Sequence, residues 1–130
     1  MTGLPVHALI VDDSRAMRSL LNRILVRHGF RVSEACTGVE GIASLTEHDD
    51  ISIVLVDWNM PEMNGYDFVK HVRSYKRHDD VWLMMVTTET EMARVVKAMA
   101  AGANEYVMKP FTEEIIVEKL RLLGLISKAA

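Results

Sequence analysis

Five short apolar runs, each followed by a stretch whose apolar residues recur every three or four positions, set the rhythm of this chain. His7-Ala8-Leu9-Ile10-Val11 predicts a buried strand that ends at Asp12-Asp13. Ser14 opens a helical pattern with Met17, Leu20, Leu21, Ile24 and Leu25 on one face, closed by His28-Gly29. Arg31 to Cys36 is poorer in apolar residues and predicts a strand nearer an edge. Thr37-Gly38 turns into a helix carrying Val39, Ile42, Ala43 and Leu45, ending in the polar stretch from Glu47 to Asp50. Ile51 to Val56 then drives straight into Asp57, and Pro61 forbids that strand from continuing. The loop from Asn59 to Gly65 has turn chemistry.

The second half repeats the rhythm. A helix is predicted from Tyr66 to Tyr75 with Phe68, Val69 and Val72 inward, then a strand from Val81 to Val86 ending at Thr87-Thr88-Glu89. A helix from Glu91 to Ala101 stops at Gly102, and Glu105 to Met108 forms a last strand ending at Lys109-Pro110. Thr112 can cap a final helix carrying Ile115, Ile116, Leu120 and Leu123. Strand and helix alternating five times predict an α/β fold. Its parallel sheet is covered on both faces, a (βα)5 three-layer sandwich with right-handed crossovers. No linker or repeat interrupts residues 1–130, so a single domain is expected.

Composition narrows the function classes. A chain of 130 residues can bury about two thirds of its unfolded surface and needs no disulfide or metal to fold. The formal net charge of −3 with scattered Lys and Arg argues against nucleic acid as a partner. Cys36 is the only cysteine, which fits a reducing cytoplasm. No basic-then-apolar leader is visible, and no apolar run approaches the roughly 20 residues of a membrane span. Met84, Met85, Met99 and Met108 read as core filler, and Met60, Met63 and Met92 as loop residues able to make contacts. His28 and His71 show no metal-ligand spacing.

The chemistry lies at the strand ends. Asp12-Asp13, Asp57, Thr87 and Lys109 all fall where parallel strands emerge, the edge at which such sheets bind ligands. Taken singly, each is an ordinary cap, turn former or solvated charge. Together they gather three carboxylates, a hydroxyl and an ammonium. Two carboxylates about 5 Å apart repel by roughly 3 kcal/mol at an effective dielectric of about 20. Lys109 cancels one charge of three, and a hard divalent cation, Mg²⁺ being the abundant one, would cancel the rest. A site of this composition is suited to a phosphoryl group.

The whole pattern resembles the receiver domain of bacterial two-component response regulators, most closely its stand-alone chemotaxis members. The residues that carry the resemblance are Asp12-Asp13, Asp57 followed by Trp-Asn-Met-Pro, Gly65, Thr87, Tyr106 and Lys109-Pro110-Phe111. The resemblance implies a flavodoxin-like sheet order of 2-1-3-4-5 and a cis Lys109-Pro110 bond. It implies Asp57 as phosphoacceptor from a histidine kinase of the chemotaxis type. Asp13 and Asp57 would ligate Mg²⁺ directly, Asp12 through water, and Asn59 through its backbone carbonyl, while Lys109 would pair with the phosphoryl oxygens. Thr87 and Tyr106 would form a switch read on the face carrying Arg94, Tyr106 and Lys119. Asn59 and Glu89 would tune hydrolysis.

The implied partners are the kinase, a flagellar motor switch protein or a phosphotransfer protein, and a phosphatase. A monomer without an output domain is expected, and no enzyme beyond its own phosphorylation and dephosphorylation. A phosphate sink or phosphorelay intermediate is the alternative. Two positions depart from the family pattern: Thr88 stands where alanine is usual, and Ser14 where a bulky apolar residue is. A phosphatase of the haloacid dehalogenase type wants a second acid at position 59, where this chain has Asn59. A flavodoxin-like FMN protein wants a hydroxyl- and glycine-rich loop where Asp12-Asp13 would repel phosphate.

Overall fold

The computed structural model describes residues 5–89 and 91–127. Its elements run β1 (His7–Val11), α1 (Arg15–Arg27), β2 (Arg31–Ala35), α2 (Gly38–Glu47), β3 (Ile51–Val56), α3 (Gly65–Arg73), a 3₁₀ turn (Lys76–His78), β4 (Trp82–Thr87), α4 (Met92–Ala101), β5 (Glu105–Met108) and α5 (Glu113–Leu122). All strand pairs are parallel, in the order β2-β1-β3-β4-β5. The weak pattern of β2 is explained by its place at one edge, where most of its residues keep contact with solvent.

Side-chain alternation along the central strands divides the core in two. Leu9, Val11, Val54, Val56, Leu83 and Met85 face α2, α3 and α4 and pack with Leu45, Phe68, Val69, Val72 and Ala98. Ala8, Ile10, Ile53, Leu55, Met84 and Val86 face α1 and α5 and pack with Leu21, Ile24, Leu25, Ile116 and Leu120. A strand buried on both faces has no polar side to spare, which is why these runs are continuously apolar.

Helix starts follow side-chain caps. Ser14, Thr37, Asn64 and Thr112 each accept a hydrogen bond from the backbone N–H three residues on. The Asn64 cap starts α3 at Gly65, one residue before the predicted Tyr66, and the helix ends at Arg73. The predicted extension to Tyr75 is not formed: Ser74 caps α3, and a separate turn follows at Lys76–His78. β4 lies one residue later than predicted because it continues through Thr87, and β2 stops at Ala35. Glu91 precedes α4 as its cap residue. Of the methionines assigned to the core, Met84 and Met85 are fully buried, whereas Met99 and Met108 are exposed. Met60, expected in a contact loop, is buried instead.

Candidate functional site

The strand order places β1 between β2 and β3, so the chain diverges from β1 in both directions and leaves a crevice at the carboxyl ends of β1 and β3. Ladder hydrogen bonds carry on past the strands and fix what enters it. Asp12 N–H donates to the Ala35 carbonyl (3.1 Å), Asp57 N–H to Val11 (3.0 Å) and Lys109 N–H to Thr87 (2.9 Å). The structure therefore gathers the residues expected at this edge.

Asp12 is 1 % exposed and Asp57 7 % exposed, while Asp13 is exposed. The adjacent acids thus divide, one inside and one at the mouth. One carboxylate oxygen from each of Asp12, Asp13 and Asp57 lies within 4.8 Å of the other two. Lys109 Nζ donates to Asp12 Oδ2 at 2.9 Å and to Asp57 Oδ2 at 3.2 Å. The Lys109-Pro110 bond is cis, as expected. Burial pushes the Asp12 carboxyl pKa up; hydrogen bonds from Lys109 and from the Ser14 N–H (2.8 Å) pull it back down. One ammonium against three carboxylates leaves a negative surplus in a mostly buried crevice. Hard oxygen donors in that arrangement could hold a metal ion between Asp12, Asp13 and Asp57.

The crevice wall is a tight turn. Gly65 N–H donates to the Trp58 carbonyl at 2.8 Å, folding the loop back against the end of β3. Asn59 is exposed; its N–H donates to Asp57 Oδ1 at 3.3 Å and its side-chain amide donates to Thr88 Oγ1 at 3.4 Å. The unusual Thr88 thus holds the Asn59 side chain. Ser14, the other departure, caps α1 and also donates its N–H to Asp12.

Thr87 is fully buried, and its hydroxyl accepts the Glu89 N–H at 3.2 Å. Tyr106 O–H donates to the Glu89 carbonyl at 2.9 Å. Burial, followed by the charges of Glu89 and Asp57, pushes the Tyr106 phenol up to about 12. Thr87 and Tyr106 therefore hold the same residue, one at its N–H and the other at its carbonyl. The Glu89 carboxylate accepts from Arg94 at 2.8 Å, and Lys119 pairs with Glu105 at 2.9 Å. Arg94, Tyr106 and Lys119 lie on α4, β5 and α5 respectively, as the expected face requires.

Sequence reasoning missed two features. Trp58 stacks on Tyr66, ring centroids 5.6 Å apart with planes at 14°. Arg73 donates to the carbonyls of Gly102 and Val81 and to Asn104 Oδ1, tying α3 to the loops that precede β4 and β5. The first closes across the loop after β3 and the second reaches a distant loop, and neither has a periodic signal.

The sequence pattern of the response regulator receiver domain matches residues 8–121. A chemotaxis protein CheY homolog of Campylobacter jejuni is 47 % identical over 113 residues, 86 % of this chain and 87 % of the relative. CheY1 of Helicobacter pylori is 45 % identical over 116 residues, 88 % of this chain and 94 % of the relative. Among solved structures, chemotaxis protein CheY4 of Vibrio cholerae superposes with a TM-score of 0.85 at 31 % identity, covering 91 % of this chain and 98 % of that one.

Proposed function

The chain belongs to the response regulator receiver family, and on that footing we propose that it takes a phosphoryl group from a histidine kinase onto Asp57 and signals in chemotaxis by phosphorylation-dependent protein binding. The observation that carries this reading is the Asp57 carboxylate, held at the end of β3 by Lys109 and set beside Asp12 and Asp13. In the step we propose, an Asp57 oxygen attacks phosphorus, an O–P bond forms, and the P–N bond to the kinase imidazole breaks. Bound Mg²⁺ would neutralise the carboxylates and the incoming phosphoryl oxygens. Lys109 orients Asp57 and offers its ammonium to the transferred group. Asn59 and Glu89, beside Asp57 and Thr87, govern the approach of water.

The readout we propose runs through Thr87. If its hydroxyl turns to a phosphoryl oxygen, the bond from Glu89 N–H is lost and the Glu89 carbonyl that holds Tyr106 is released. Two exposed apolar residues of α4, Met92 and Val96, lie one turn apart beside that region, chemistry suited to a protein partner such as a flagellar motor switch component. The test is incubation with acetyl phosphate and Mg²⁺, which should add one phosphoryl group that Asp57→Asn abolishes. Beryllofluoride should then tighten binding of a motor switch peptide. Phosphorylation without any gain in binding would favour the phosphate-sink reading, and equal labelling of the Asn variant would overturn the assignment of Asp57.

A further inference from the structure

We propose that the ridge between α3 and α4, built on Tyr66, Lys70 and Lys97, is a docking site for an acidic segment of a partner protein, made of residues other than Arg94, Tyr106 and Lys119. Tyr66 stands in the first turn of α3, its ring stacked on Trp58, the buried residue that follows Asp57. Lys70, one turn along α3, places Nζ 4.7 Å from the Tyr66 ring centroid. Lys97 reaches the same ring from α4, with Nζ also 4.7 Å from the centroid. Two ammonium groups from different helices are thus no farther apart than twice that distance. Both lysines are exposed.

What marks this pair is that two cations without an acid partner share one ring; among the described residues Arg15, Arg23, Lys76 and Arg77 also lack a carboxylate within 4.0 Å but stand over no ring. Elsewhere on the surface, Arg18, Arg27, Arg31, Arg94 and Lys119 each pair with an acid. Among the described residues, Lys70 and Lys97 have no carboxylate within 4.0 Å, although Asp67 lies only three positions from Lys70 on the same helix. The ring attracts each cation, but the two cations repel one another. Carboxylates laid across them relieve that repulsion and face an aromatic edge for apolar contact. Ammonium groups are point charges without the planar fork of arginine, so successive carboxylates of an extended chain suit them. Such a segment would also tie α4 to α3, and through Tyr66 to the residue beside Asp57.

The probe is N-acetylated octaglutamate, with octaglutamine as the uncharged control, titrated into the intact chain without Mg²⁺ at about 0.15 M salt. Lysine side-chain NMR signals and tryptophan fluorescence are followed. Octaglutamate should shift the signals of Lys70, Lys97 and Tyr66 saturably and change the emission of Trp58. The double variant Lys70→Met, Lys97→Met should weaken binding about tenfold, the scale on which removing close charge pairs acts. Lys76→Met, on the 3₁₀ turn, should leave it unchanged, and circular dichroism should show every variant folded. Equal binding of octaglutamine, equal loss in Lys76→Met, or no saturable binding overturns the proposal. So does capture of Lys70 and Lys97 by phosphatidylglycerol vesicles when octaglutamate does not bind, because that makes the ridge a membrane contact.

Discussion

Substituting Gly65 by alanine should destabilise the protein although it improves helix propensity. Gly65 opens α3 and folds directly onto the end of β3. A Cβ there would stand 2.8 Å from Trp58 Cα and 2.8 Å from Met85 Cε, and closer still to the Asp57 carbonyl oxygen. Met85 can swing its methyl away. The two backbone atoms can yield only if the loop leaves β3, which breaks the bond from Gly65 N–H to Trp58.

Overpacking costs about 1–3 kcal/mol, and contacts with backbone put this case near 3. The lost hydrogen bond adds about 1 kcal/mol. Alanine in place of glycine returns at most about 1 kcal/mol of helix propensity. Crowding therefore wins, by about 3 kcal/mol. At ~2.1 cal/mol/K per residue, 130 residues give an unfolding entropy of about 0.27 kcal/mol/K, so Tm should fall by about 11 °C. Differential scanning calorimetry of both proteins reads this, and acetyl phosphate labelling of Asp57 should slow in parallel. A rise in Tm, or a fall of less than about 3 °C (under ~1 kcal/mol), would show that the turn relaxes freely and refute the reasoning.

Four further outcomes are expected. Lys109→Met strips the cation from Asp12 and Asp57 and should destabilise by about 3 kcal/mol in urea without Mg²⁺, at the lower end for a broken buried pair because Asp12 can take up a proton; an unchanged midpoint would mean the pair contributes nothing. Asp13→Ala should largely abolish the Mg²⁺-dependent rise in Tm, and an undiminished rise would place the ion elsewhere. Thr87→Ala should remain phosphorylatable yet lose most of the gain in partner binding, which a peptide-binding assay on the beryllofluoride form would read. His78 is buried, and that burial, with Arg77 and His71 nearby, lowers its pKa below 6.5. Its neutral form is favoured by folding, so its contribution to stability is complete above pH 6.5 and is lost as pH falls through the folded value; NMR titration should find its ring protonating below 6.5, and His78→Gln should flatten the acid limb of the stability curve.

The fold was legible because its signals are local and mutually consistent. Continuous apolar strands announced burial on both faces, and Ser14, Thr37 and Thr112 announced helix starts through a side chain that can reach only a few residues. The site was legible for a related reason: parallel strands deliver their ends to one edge, so Asp57, Thr87 and Lys109 had to meet once the strands were placed. Boundaries slipped where a local cue was weak. Nothing between Arg73 and Trp82 announced that α3 stops two residues early and that a 3₁₀ turn follows. Only the family resemblance told Asp12 from Asp13 in the sequence, whereas the end of β1 buries the first and exposes the second. Met99 and Met108 looked like Met84 and Met85, and only helix phase and edge position separate them.

The opposite edge of the sheet shows why the carboxylate crevice stands out as functional. His7 is also buried and polar, but its Nδ1 pairs with Asp50 at 2.9 Å and its Nε2 with Ser33 Oγ at 2.7 Å, while Arg31 closes onto Asp50. The hydrogen bond from His7 holds the Asp50 carboxyl below its ordinary value, so that network joins β1, β2 and the start of β3 with its polar groups matched. Arg73 and Asn104 do the same for the loops that precede β4 and β5. A domain that can satisfy buried polar groups at one end of its sheet has no folding reason to leave three carboxylates facing one lysine at the other. That surplus lowers stability, and a cation held by the three carboxylates would relieve it. Lys70 on α3 and Lys97 on α4 are exposed and carry no such penalty; what sets them apart is their convergence on the Tyr66 ring.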